Sequence, residues 1–159
     1  MRKEITMAVV AVFVGAALYL FTATDGIPSY VTGDVRAVYE WAKSPEGSVL
    51  LEQVPCYCGC NTEGHMHARH CFWKDDGTFD SHGTSCAVCF GIAKKARQMH
   101  EQGKSACEIR YEIDKFYASL AHLSTDTPMP EGCTAYVPTG NETQLAEGCG
   151  NEGSMACGV

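Results

Sequence analysis

The stretch Pro55-Cys56-Tyr57-Cys58-Gly59-Cys60, continued by His65, Cys71, His82 and the pair Cys86-Ala87-Val88-Cys89, decides how this chain folds. Cysteines at alternate positions put their thiols on one side of an extended segment, about 6.5–7 Å apart along the strand, and a tight turn at Gly59 draws them closer. Neighbouring alternating cysteines make poor disulfides with one another, because the bridge needs Cα atoms about 4.4–6.8 Å apart with converging Cβ vectors. They suit a thiolate cluster well. Cys86-x-x-Cys89 opens a predicted helix, whose first N–H groups and dipole favour thiolate. That placement serves a metal ligand and a redox-active thiol equally.

Helical periodicity stops at Pro55 and resumes only after Ser85. The segment between mixes glycine and polar turn signals with aromatics, cysteine and histidine, the profile of an irregular loop folded around something other than apolar side chains. Upstream, Asp34 is a predicted cap for a short helix with Val35, Val38, Tyr39 and Ala42 on one face. Ser44-Pro45-Glu46 restarts the chain as a second helix carrying Val49, Leu50 and Val54, because serine caps well and proline is welcome in a first turn. Downstream, a helix runs from about Cys86 to Gln102 with Val88, Ile92, Ala96 and Met99 inward, and Gly103 stops it. Ser105-Ala106-Cys107-Glu108 is a capping box for a last helix with Ile109, Ile113, Phe116, Tyr117 and Leu120 in register. The tail after Ser124 has no core pattern and is expected to be irregular unless its own cysteines tie it down.

The first residues are of a different kind. Ile5 to Ala23 is an apolar run broken only by Thr6, Gly15 and Thr22. At about 1.5 Å per residue it crosses most of a hydrocarbon layer of about 30 Å. Arg2 and Lys3 place the N-terminus in the cytoplasm and everything after Thr24 outside it. A cleaved signal peptide is the competing reading; signal cores run about 7–15 residues and end at a small-x-small site, and Thr22-Ala23-Thr24 matches that poorly. No cysteine ends the run to accept a lipid.

What remains, about 135 residues, is the common size of one domain. With much of the 45% hydrophobic content of the 159-residue chain spent on the N-terminal segment, the core is modest and calls for covalent or metal staples. A net charge of −7 repels phosphate backbones, so nucleic acid is not an expected partner. Ten cysteines fit disulfides or metal thiolates.

Histidine tips that balance, since a disulfide framework has no need of His65 and His82 beside its cysteines and a metal site does. Six thiols and two imidazoles suffice for two tetrahedral sites or one polynuclear centre, and sulfur-rich sets select Cu⁺ or Zn²⁺ over magnesium or calcium. In an exported protein copper is the preferred cargo, with zinc the alternative. A c-type haem is disfavoured, because Phe90, not histidine, follows Cys89. His67 and His70 are read as solvated loop residues, His100 and His122 as surface residues, Met99 and Cys107 as buried, and Cys133, Cys149 and Cys157 as disulfide candidates. Gly103-Lys104-Ser105 is no phosphate loop, since Gln98 stands five residues before Gly103, where the motif's first glycine must be.

On these residues the chain resembles the bacterial family named for its PCYCGC motif. The likeness runs over residues 34–130 and includes Gly64-His65, Cys71-Phe72, His82, Cys86-x-x-Cys89 and Gly103-Lys104-Ser105 through Tyr117. The resemblance implies an exported protein, often a lipoprotein, of generally unknown function. Its pattern supports Cys56, Cys58, Cys60, His65, Cys71, His82, Cys86 and Cys89; His67, His70, Cys107 and the tail cysteines lie outside it. This chain departs from the lipoprotein members in using an apolar anchor.

The expectation is therefore a mainly α protein: a membrane anchor or signal peptide over 1–24, a small helical domain around an irregular Cys/His-rich loop over 25–124, and an irregular cysteine-containing tail over 125–159. The expected function is extracytoplasmic metal binding, with Cu⁺ trafficking, storage or delivery to an envelope metalloprotein, held to the membrane by residues 5–23. The eight cysteines and histidines above are the ligands. The alternatives are a thiol-disulfide redox protein using Cys86 and Cys89, and a disulfide-stapled structural module. No Ser-His-Asp order, carboxylate pair or nucleotide fingerprint is visible, so an enzyme is not expected.

Overall fold

The computed structural model describes residues 25–137; the apolar run 5–23 and Cys149 and Cys157 lie outside them. No described helix is long and apolar enough to cross a membrane. Among the described residues there is no strand, only an isolated antiparallel bridge between Trp73 and Phe79. The elements are α1 (Gly33–Lys43), α2 (Pro45–Glu52), the single turn α3 (His82–Ser85), α4 (Ala87–Glu101) and α5 (Ala106–Phe116), with 3₁₀ turns at Cys60–Glu63, Ala68–Cys71 and Ala118–Leu123.

Local chemistry sets most of these boundaries. Ser44 Oγ accepts from the Gly47 N–H at the start of α2, with Pro45 in the first turn. Ser105 and Glu108 form the full capping box of α5. Asp34 does not cap α1: the cap position is Thr32, and Asp34 sits inside the first turn, where its charge still complements the helix dipole. The inward face of α2 also differs from expectation. Val49 is exposed while Leu50, Leu51 and Val54 are buried, because a helix of eight residues wedged against α1 turns the Leu50–Leu51 edge inward. On α5, Ile109 and Ile113 are buried but Phe116 is exposed, its ring lying under the Lys95 ammonium at 4.6 Å.

Helix α4 is the spine. It packs on α1 and α2 through Ile92, Ala93, Ala96 and Met99 and also touches α5. The irregular loop has an apolar centre of its own, which its lack of periodicity conceals. Phe72 and Trp73 are fully buried; Tyr39 of α1 stacks on Phe79 at 4.8 Å and meets Phe72 edge-on at 5.0 Å. Polar ties fix these rings, Trp73 Nε1 donating to Tyr39 O (2.9 Å) and Tyr39 Oη to Asp80 O (2.7 Å).

The chain after α5 closes over the loop. Thr125 and Thr127 are buried, and the Thr125 N–H donates to Cys56 O at 2.8 Å while Thr125 Oγ1 accepts from the Cys56 N–H at 2.9 Å. Arg110, 8% exposed, is the hub behind them: its Nη1 donates to Gln53 O and Pro128 O, and its Nε to Asp114, which in turn accepts from Tyr57 Oη at 2.6 Å. Further on, Cys107 and Cys133 form a disulfide. Cys107 is thus half of a bridge and only partly buried, not the buried thiol expected, and the start of the tail is tied down by cysteine as well as by hydrogen bonds.

Candidate metal centre

Three separate stretches deliver the donors. Cys56, Cys58 and Cys60 come from the extended segment after Val54, whose turn is made by Gly59 at φ 79°, a left-handed backbone that glycine adopts without strain. Cys71 ends the 3₁₀ turn at Ala68–Cys71. His82 begins α3, Cys86 is the N-cap of α4 and Cys89 lies in its first turn. The approach of α3 to Cys71 requires Gly83, where any Cβ would meet Phe72 at 2.5 Å and Cys71 O at 2.9 Å.

The sulfurs converge without bonding. Cys56 Sγ stands 3.0 Å from Cys89 Sγ and 3.2 Å from Cys58 Sγ; Cys58 is 3.4 Å from Cys89, and Cys60 is 3.7 Å from Cys71. All six cysteines are free. A disulfide would bring two sulfurs to about 2.05 Å. Two thiolates held at about 2.3 Å by one tetrahedral ion stand about 3.8 Å apart by simple geometry; the Cys60–Cys71 separation matches that, and the other three lie between it and the disulfide length. Donor atoms cluster within 4.8 Å as three overlapping sets of four: Cys56, Cys58, Cys60 and Cys89; Cys58, His82, Cys86 and Cys89; and Cys60, Cys71, His82 and Cys89. Seven of the eight residues singled out from sequence fall in these sets. The eighth, His65, sits beside them, its Nδ1 at 3.5 Å from Cys71 Sγ.

Both imidazoles are held from behind by carboxylates. His82 Nε2 faces Cys58 Sγ at 3.4 Å while Nδ1 pairs with Glu63 at 3.1 Å; His65 Nδ1 faces Cys71 while Nε2 lies 3.6 Å from Asp80. A carboxylate on the far nitrogen fixes ring orientation and raises basicity, the usual support of a metal-binding histidine. Glu63, His65, Asp75 and Asp80 line an open depression of about 470 Å³ on this side of the cluster.

Crowded sulfurs cannot all carry charge. Hydrogen bonds from neighbouring thiols, Cys56 foremost, draw Cys60 down to about 3 and lower Cys58 and Cys71 too, whereas Cys56 and Cys89 are pushed up, Cys56 chiefly by its bond to Cys58 and Cys89 chiefly by its bond to Cys56. Burial pulls His82 down, but the Cys58 sulfur and the charge of Cys71 and Cys58 outweigh it and leave it raised to about 9. Burial likewise opposes, and Cys71 and Cys60 likewise raise, His65. A cation held by these groups would displace the protons that remain on the thiols and imidazoles.

His67 and His70 are not the solvated residues expected from sequence. His70 is buried, with Nδ1 accepting from the Met66 N–H (3.2 Å) and Nε2 against Asp75 Oδ1 (2.8 Å). His67, His70 and Asp75 are close enough to suggest a second ion site. The hydrogen bonds argue otherwise: a neutral His70 ring that accepts at Nδ1 carries its proton on Nε2 and donates it to Asp75, leaving no lone pair for a cation. The group pins the loop.

Sequence reasoning missed Glu63, Asp80, Thr125 and Arg110. None has a motif, and Glu63 and Asp80 support donors 19 and 15 residues away, His82 and His65, so nothing local marks them. A family model described as a protein of unknown function with PCYCGC motif matches residues 20–130. No curated protein and no solved structure matches the chain.

Proposed function

We propose, from the premise that the chain belongs to the PCYCGC-motif family of unknown function, that it is a metal-binding protein whose cargo is a soft cation, Cu⁺ ahead of Zn²⁺. One observation carries this reading: six unbridged thiols from three stretches converge, five with a sulfur neighbour at 3.0–3.7 Å and Cys86 within 4.8 Å of Cys58 and Cys89, flanked by two imidazoles that carboxylates orient. Sulfur outnumbers nitrogen, which favours Cu⁺. Residues 5–23 hold the protein to a membrane with the cluster on the extracytoplasmic side, where it traffics, stores or delivers the ion to an envelope metalloprotein. The carboxylates of Glu63, Asp75 and Asp80 in the depression draw cations toward His65, which shares its lining. Release proceeds by exchange with a thiol of the acceptor.

The test is elemental analysis joined to native mass spectrometry of the full chain purified from its own envelope. Copper bound with the six thiols unlinked supports the reading; a protein without metal whose cluster cysteines are paired as disulfides refutes it. A second reading, thiol-disulfide exchange, draws on the 3.0 Å contact between Cys56 and Cys89 and on the lowered Cys58 beside them. Turnover of a thiol substrate that persists after thorough metal removal supports that alternative.

A further inference from the structure

The overlapping donor sets differ in one respect that bears on release, their access to solvent. Cys56, Cys60 and Cys89 are at most 2% exposed, whereas Cys58, His82 and Cys86 are all partly open to water. The first set, Cys56, Cys58, Cys60 and Cys89, is therefore mostly sealed; the second, Cys58, His82, Cys86 and Cys89, has a single sealed member. The two share Cys58 and Cys89, whose sulfurs are 3.4 Å apart. One ion can use only about four donors in a tetrahedral site. An ion on the first set leaves Cys71 and Cys86 outside its shell, and a second ion on the other set takes up Cys86 together with His82.

Resting on the metal-binding reading, we infer that the centre is two-tiered: an inner ion on Cys56, Cys58, Cys60 and Cys89, and an outer ion on Cys58, His82, Cys86 and Cys89, with Cys58 and Cys89 as bridging thiolates. Each thiol that binds gives its proton to solvent, and neither ion changes oxidation state. The outer ion is the cargo. Its open ligands, Cys86 at the N-cap of α4 and His82 in α3, are where an incoming acceptor thiol displaces a donor. The inner ion stays, because reaching it means opening the segment that Thr125 clamps through both the N–H and the C=O of Cys56. Cys71, 3.7 Å from Cys60, flanks the inner tier.

The experiment loads the full chain with Cu⁺ under anaerobic conditions, counts ions by native mass spectrometry, and follows their removal by a water-soluble aromatic diimine chelator. Two ions per chain are expected, the second leaving at least about tenfold more slowly than the first, since it requires local opening of packed structure. Cys86→Ser should lose the fast ion and keep the slow one; serine is a preferred N-cap, so the helix start survives the change. Cys60→Ser should show the converse, and if it fails to fold, the Cys86→Ser result still decides. A single bound ion, or two that leave at one rate and are equally affected by Cys86→Ser, overturns the two tiers while metal binding stands. No bound Cu⁺ at all overturns both readings together.

Discussion

Two groups of cysteine in one chain have met opposite fates. Cys107 and Cys133, at the edge of the molecule, are joined in a disulfide across 26 residues of sequence. Cys56, Cys58, Cys60, Cys71, Cys86 and Cys89, packed at its centre with sulfurs as close as 3.0 Å, remain free. Proximity alone does not explain the difference. At the edge, two sulfurs meet with no other donor competing, and the bridge satisfies both. At the centre each sulfur has several sulfur or imidazole neighbours, so any one bridge would strand others in a buried site where an unpaired polar group is costly. The edge pair braces the fold, and the central set is arranged for something to be shared.

The contrast can be broken at either end. Cys89→Ala, which removes the donor common to all three sets, should have the largest effect: bound metal falls to a minor fraction by elemental analysis, while non-reduced peptide mapping still finds Cys107 joined to Cys133. Cutting the staple with Cys107→Ala and Cys133→Ala should do the reverse, lowering unfolding free energy by about 3.5 kcal/mol in urea titration, the chain-entropy value for a loop of this length, with the metal count unchanged. Thr125→Val tests whether the tail and the cluster communicate. It removes the acceptor of the Cys56 N–H, costs about 1–3 kcal/mol, and should quicken metal loss to a chelator without altering the number bound.

The smallest effect belongs to a histidine of neither group. Burial, then the charge of His70, holds His67 down at about 4, so its neutral form is favoured in the folded chain. The unfolded chain takes up that proton near the ordinary value of about 6.5, so stability is lost as pH falls from there toward 4. His67→Gln should shrink the drop in urea midpoint between pH 7 and pH 4.5, leaving the midpoint at pH 7 close to that of the parent.

Much of the scaffold was legible because its causes are short-range. The Ser44 cap with Pro45, the Ser105–Glu108 box and the left-handed Gly103 each depend on residues within one turn. The alternation of Cys56, Cys58 and Cys60 about Gly59 carried the same kind of local information. The errors fell where the deciding partner was distant. Val49 and Phe116 had the right spacing to be inside, but which side of a short helix is covered depends on what packs there. His70 looked like a loop residue until Asp75 and the Met66 N–H closed on it. Phe72, Trp73 and Phe79 had no period, yet Tyr39 from α1 gathers them into a core.

By itself, then, the sequence determined a mainly helical protein interrupted by a loop rich in sulfur and imidazole, and it named the residues around which that loop turns. Only the tertiary structure decided which sulfurs meet, that Cys107 chooses Cys133, that Glu63 and Asp80 stand behind the two histidines, and that Thr125 and Arg110 hold the Cys56 segment in place. The physical reason is range: capping and periodicity act within a turn, whereas Cys56 meets Cys89 across 33 residues and Thr125 across 69, and such contacts form only when the whole chain has closed around them.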